Sequence, residues 1–286
     1  MKTPKTRTPE SRYLYQNDIK SHYADWGGTG QTVLLVHGNM RTSRSFDAVS
    51  RVLNGDSHVL AMDLIGHGNS TWTPSGYKFS DRSKDVDNFV TEKKLNGICA
   101  VGHSLGGAAV TMCAADNPKP FDKLVLLEPM MEVKKNTSEK SSGRTERPRR
   151  TYEDLNELRE VLQNHKVTRR WTPEVIEDVV QYETYTNDQG RVDIKWSPET
   201  LSFREKKDDH LNLEPILKQL SIPILFVISE DGKSEFEKVF ELEKDLDNVQ
   251  CIVMSDTGHN MYMERPDALA KIVSDFVNSH ELPRRV

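Results

Sequence analysis

Cysteine is scarce: 286 residues carry three, Cys99, Cys113 and Cys251, an odd number at wide spacing. A disulfide framework is therefore excluded as the organising device, and reduced thiols in a cytoplasmic protein are expected. No C-x-x-C pair and no H-E-x-x-H motif occurs, so no metal site is expected. Neither a Walker loop nor a G-x-G-x-x-G fingerprint is present to cradle a nucleotide, and no cofactor is expected. No apolar run approaches membrane-spanning length, and the basic stretch Met1 to Pro9 leads into polar residues rather than the apolar core of a signal peptide. Membrane insertion is therefore not expected. A net charge of −5 gives no support for a nucleic-acid partner. With 36% apolar and 29% charged residues the chain has the composition of a soluble globular protein, with which a homodimer is compatible.

What is present begins at Gly97-Ile98-Cys99-Ala100-Val101, an apolar strand-like run that leads into Gly102-His103-Ser104-Leu105-Gly106-Gly107. A serine between two glycines straight after a strand is the G-x-S-x-G nucleophile elbow. The turn from strand to helix (Gly106 to about 115) holds the serine in a strained backbone conformation. The same turn aims the Leu105 N–H and the helix N-terminus at negative charge developing beside Ser104. Upstream, the apolar run Thr32–Val36 reads as a strand buried on both faces and ends in His37-Gly38-Asn39-Met40, where the N–H of Asn39 or Met40 is placed to be the second oxyanion donor. Downstream, Val249–Met254 reads as another strand and runs into a loop carrying His259, the position for a general base.

These residues, in this order, resemble the α/β-hydrolase superfamily, a mostly parallel sheet with helices on both faces. The resemblance extends to an opening hairpin (Tyr13-Leu14-Tyr15 and Ile19–Tyr23 around Asn17-Asp18), to Asp63-Leu64-Ile65-Gly66-His67-Gly68-Asn69-Ser70, and to Met263-Glu264-Arg265-Pro266-Asp267 with the helix through Phe276. It implies a catalytic serine, acid and histidine in that chain order: Ser104, an acid, and His259. Two strand ends offer the acid. Ile222–Ile228 precedes Ser229-Glu230-Asp231-Gly232-Lys233-Ser234-Glu235, where family members read Gly-x-x-Asp; here Ser229 replaces the glycine, Gly232 stands where the aspartate would fall, and Asp231 is next door. Glu230 and Glu235 reach the site only with a rearranged loop. Glu128, at the end of Lys123–Leu127, is the alternative, because some relatives take their acid from this preceding strand. Asp231 is the first choice by position.

The regular pattern stops after Pro129. Residues 134–150 are polar and strongly basic around Ser141-Ser142-Gly143, a solvated connection without interleaved aromatics for stacking on bases. Helical spacing of Tyr152, Leu155, Leu158 and Leu162 predicts a helix over 151–165, and Thr172-Pro173 predicts the start of another. Residues 130–214 are thus expected as a largely helical cap inserted into a core of residues 1–129 and 215–286. Met130, Met131, Trp171, Tyr182, Tyr185 and Trp196 are candidates for lining a roofed pocket or for ordinary packing within the cap.

The resemblance implies hydrolysis of a carboxylic ester or related acyl compound, such as a lactone, through an acyl-enzyme on Ser104, with a small-molecule acyl substrate. Serine in place of aspartate argues against the dehalogenase and epoxide hydrolase branches. Amide or carbon–carbon bond hydrolysis, a lyase using the same triad, and a catalytically weak small-molecule receptor of the same fold are the alternatives.

Overall fold

The computed structural model describes residues 8–16, 18–74, 77–133, 149–204 and 210–286. An antiparallel hairpin opens the chain, β1 (Glu10–Gln16) with β2 (Ile19–Gly27). Four strands follow, β3 (Thr32–Val36), β4 (His58–Met62), β5 (Ile98–His103) and β6 (Phe121–Leu127). A middle segment carries the short strands β7 (Glu132–Val133), β8 (Thr184–Thr186), β9 (Val192–Ile194) and β10 (Leu211–Asn212). The main sheet resumes with β11 (Ile224–Ser229) and β12 (Val249–Met254).

The order across the eight-stranded sheet is β1-β2-β4-β3-β5-β6-β11-β12. β2 pairs antiparallel with β4, and every pair from β4 onward is parallel. The winding reverses on either side of β3, since β4 lies to one side of it and β5 to the other. In such sheets the crevice beyond the carboxyl ends of the strands at the reversal is where ligands are bound. The segments that follow β3 and β5 begin with His37 and Ser104.

The apolar runs have no polar alternation because both sheet faces are covered. Val33 and Leu35 point into one hydrophobic cluster with α1 (Asp47–Leu53), while Leu34 and Val36 point into another with α2 (Phe79–Glu92) and α3 (Leu105–Asp116). Cys99, Cys113 and Cys251 are buried and free.

In the middle segment α4 (Leu155–Asn164) starts later than the expected 151. The Asp154 carboxylate caps it by accepting the N–H groups of Asn156 and Glu157 at 2.7 and 2.9 Å, while Tyr152 is held extended by pairing with Val192. α5 (Pro173–Tyr182) starts where the Thr172-Pro173 signal places it, with the Thr172 hydroxyl accepting the Val175 N–H. Leu158, Leu162, Val175, Ile176 and Val179 join the same cluster as Phe46, Val49 and Leu53: α4 packs on α5, and α5 packs on α1. Where the segment leaves and rejoins the core, β7 pairs with β10 and the Leu213 N–H donates to the Met131 carbonyl at 2.9 Å. Most of the expected basic connection, residues 134–148, lies outside the described residues. Arg149 is docked, its Nε 2.6 Å from Asp193 and its guanidinium over the Trp196 ring.

The remaining α-helices among the described residues are α6 (Glu214–Leu217), α7 (Glu237–Asp245), α8 (Met261–Glu264) and α9 (Pro266–Val277). Among the described residues no helix is long and apolar enough to cross a membrane.

Candidate active site

Ser104 sits between β5 and α3 with φ 50° and ψ −112°, a left-handed conformation that an L-residue holds only when its surroundings impose it. Its N–H donates to the Leu127 carbonyl at 3.0 Å, and its own carbonyl accepts the Met130 and Ala108 N–H groups at 2.9 and 3.2 Å, so both ends of the turn are tied down. The turn needs close backbone approach. A Cβ at Gly106 would lie 2.3 Å from the Val36 carbonyl oxygen, which lets the elbow press directly on the end of β3.

Gly38 stands against the same elbow, since a Cβ there would lie 3.2 Å from that of Ser104. Its loop is fixed by His37, whose buried ring accepts the Leu64 N–H at Nε2 (3.0 Å) and donates from Nδ1 to the Gly38 carbonyl (2.7 Å). Burial lowers the His37 pKa, which keeps that tautomer neutral. Met40 N–H is engaged by Asn39 Oδ1 at 3.1 Å and His67 Nε2 at 3.3 Å. Asn39 N–H has no acceptor among the described residues. Leu105 N–H, at the first helical position, has no intrahelical acceptor by the geometry of a helix. These are the two amides expected as oxyanion donors.

His259 is on the loop between β12 and α8, its side chain 51% exposed. Its Nδ1 is 2.7 Å from Oε2 of Glu128, a carboxylate only 3% exposed at the end of β6. Glu128 has a φ of 39°, which turns the chain sharply off the strand. Its other oxygen accepts the Ser229 N–H at 2.8 Å and the Ser229 hydroxyl. Burial alone would push this carboxyl up, but the bonds from His259 and Ser229 outweigh it and hold the pKa below the ordinary glutamate value. A buried, ionised carboxylate on the ring's Nδ1 is the arrangement that stabilises an imidazolium.

Asp231 lines the same cleft as Ser104 and His259, but its carboxylate, 60% exposed, bonds Arg170 at 2.6 Å and not the His259 ring. The departures from Gly-x-x-Asp after β11 have a shared physical reason. A Cβ at Gly232 would stand 2.3 Å from Oε1 of Glu128, so the Glu128 carboxylate fills the space a side chain at 232 would need, and Ser229 supplies the donors that hold it there. The Ser229 hydroxyl also accepts the Gly232 N–H at 3.0 Å. Glu230 faces away, bonded to Asp256 N–H and Arg285.

His103 links the elbow to the histidine loop. Its Nε2 donates to the His259 carbonyl at 2.9 Å, which leaves Nδ1 bare, and burial holds this ring well below the usual histidine range. Ser104, Glu128 and His259 open onto one cleft of about 830 Å³, walled in part by Met130, Met131, Val167 and Phe236. Trp171, Tyr182, Tyr185 and Trp196 pack instead: Arg41 lies over Trp171, Arg44 over Tyr182, Tyr185 against Trp72, and Arg149 over Trp196. Among the described residues no group of three or more His, Cys, Asp or Glu side chains is placed to hold a metal ion. The roles of Ser229, His103, Arg170 and Glu264 were not read from the sequence. Ser229 and Gly232 carried a signal as paired departures from the family pattern, whereas Arg170 carried none.

An elbow serine, a buried carboxylate on a histidine ring and a parallel sheet wound about β3 define a hydrolase of the α/β class. Residues 31–266 match the sequence profile of the alpha/beta hydrolase fold, and the chain belongs to that family. A probable serine hydrolase of Drosophila melanogaster is 34% identical over 110 residues, a stretch that is 37% of this chain and 33% of that protein. Monoacylglycerol lipase ABHD6 of Rattus norvegicus is 24% identical over 292 residues, 95% of this chain and 83% of that one. Among solved structures, E-2-(acetamidomethylene)succinate hydrolase superposes with a TM-score of 0.78 at 19% identity, over 94% of this chain and 99% of that one, a likeness of fold alone.

Proposed function

We propose that the protein is a serine hydrolase that cleaves a carboxylic ester or related acyl compound, with Ser104 as nucleophile, His259 as base and Glu128 as the acid. The observation that carries the reading is the 2.7 Å contact between Glu128 and Nδ1 of His259, made by a carboxylate with no other ion-pair partner among the described residues, in the cleft that Ser104 enters. His259 Nε2 takes the Ser104 proton as the hydroxyl oxygen attacks the carbonyl carbon. The Asn39 and Leu105 N–H groups hold the resulting oxyanion, and the protonated ring hands its proton to the leaving alkoxide. Water, deprotonated by the same ring, then cleaves the acyl-enzyme and regenerates Ser104. The apolar wall of Met130, Met131, Val167 and Phe236 suits an acyl chain, and residues 130–214 act as the lid that supplies part of it.

A fluorophosphonate probe followed by peptide mapping tests the reading. Labelling at Ser104, with loss of labelling and of short p-nitrophenyl ester hydrolysis in Ser104→Ala at unchanged Tm, is expected. A folded wild-type protein that takes no label would instead favour a small-molecule receptor.

A further inference from the structure

Arg170 joins three elements at the rim of the cleft. It leaves the segment between α4 and α5, and its Nη2 reaches Asp231 after β11 at 2.6 Å while its Nε reaches Glu264 of α8 at 3.0 Å. Glu264, whose side chain is 3% exposed, uses the same oxygen to accept the Gly258 N–H at 2.9 Å. Gly258 immediately precedes His259, and a Cβ there would lie 2.3 Å from Arg170 Nη2, so the guanidinium rests directly on the backbone of the histidine loop. Asp231, which the sequence offers as the catalytic acid, is thereby committed to this cation.

We propose that Arg170 is a positioning residue for His259: it holds the Glu264 carboxylate that anchors the Gly258 amide, and so ties the geometry of the histidine loop to the docking of the lid segment. The proposal rests on the reading of His259 as the base. The charged groups facing Glu264 are Arg170, Asp231 and Glu128. Burial raises the Glu264 carboxyl above its ordinary value, the Gly258 N–H and Arg170 lower it, and the two acidic neighbours raise it. Without the guanidinium, Glu264 takes up a proton at higher pH, and a neutral carboxyl is a weaker acceptor for the Gly258 amide. A misplaced base costs rate rather than binding, because only the transition state uses the proton transfer.

The test compares wild type with Arg170→Met, Arg170→Lys, Glu264→Gln and the Arg170→Met/Glu264→Gln pair. Readouts are ester kinetics against pH and hydrogen exchange at the Gly258 amide. Arg170→Met is expected to lower kcat on the order of 10- to 100-fold with little change in KM. It is also expected to add a second fall in kcat/KM on the acid side that is absent from the double variant, and to speed Gly258 exchange. Arg170→Lys, which keeps the charge, recovers part of each effect. A loss of rate that is uniform across pH with Gly258 exchange unchanged overturns the proposal, as does a rise in KM at constant kcat. Because exchange is read without turnover, failure of the serine-hydrolase reading is distinguishable: wild type is then inactive while Arg170→Met still does or does not release Gly258.

Discussion

Side-chain placement sets the two candidate carboxylates apart. Position in the chain favours Asp231, which directly follows a strand end upstream of His259. Burial and contact favour Glu128, whose pKa is held down by His259 and Ser229 despite burial, whereas Asp231 is mostly exposed and bound to Arg170. Glu128→Gln is therefore expected to cost on the order of 10³- to 10⁴-fold in kcat, because an amide cannot hold the same tautomer or stabilise the imidazolium. Asp231→Asn should cost no more than about tenfold, acting only through Arg170. Steady-state kinetics of both variants on one ester give the ranking, and the reverse order would make Asp231 the acid. Glu128 and Gly232 were both visible in the sequence, but their complementarity was not. It depends on β6 and β11 lying side by side, a fact about pairing that no local pattern contains.

Elements were more legible than residues. Thr32–Val36 and Val249–Met254 have the bounds their apolar runs suggest, since a parallel strand covered on both faces must be apolar throughout and flanked by chain that is not. α3 begins at Leu105, one residue before Gly106, because the strained serine turn hands over directly to the helix. The apolar spacing predicts a helix from 151, four residues before the observed start at Leu155, since Tyr152 continues that spacing but is claimed by a cross-strand pair with Val192. The elbow makes a prediction at this scale. Gly106→Ala would put a methyl 2.3 Å from the Val36 carbonyl and 2.4 Å from that of His37, both backbone atoms that cannot swing aside. It should destabilise by about 1–3 kcal/mol and reduce turnover by displacing Ser104 from the end of β3. A melting temperature equal to wild type would show that the α3–β3 contact can open at no cost.

For the whole molecule, a mostly parallel sheet with helices on both faces followed from the resemblance that a handful of motifs carry, but the seating of the middle segment did not, because it depends on which buried groups meet across α1 and α5. Glu183 is such a group. It ends α5, is fully buried, and has Arg41 Nη1 at 3.8 Å. Burial pushes its carboxyl up to about 7, with Arg41 opposing and Asp47 and Asp63 adding to the rise. The folded value lies above the ordinary 4.5, so between those limits the native state keeps a proton that the unfolded chain releases. Its contribution to stability is thus fully present in acid and is lost as pH rises through about 7. Glu183→Gln cannot ionise and should remove this slope, so that its Tm relative to wild type improves by a few °C, on the order of 1 kcal/mol, from mildly acidic to mildly alkaline pH. Thermal unfolding of both proteins across that range is the measurement. Parallel curves would mean that Glu183 is ionised throughout and matched by Arg41, and that the segment is seated on the core by an ion pair rather than by a protonated acid.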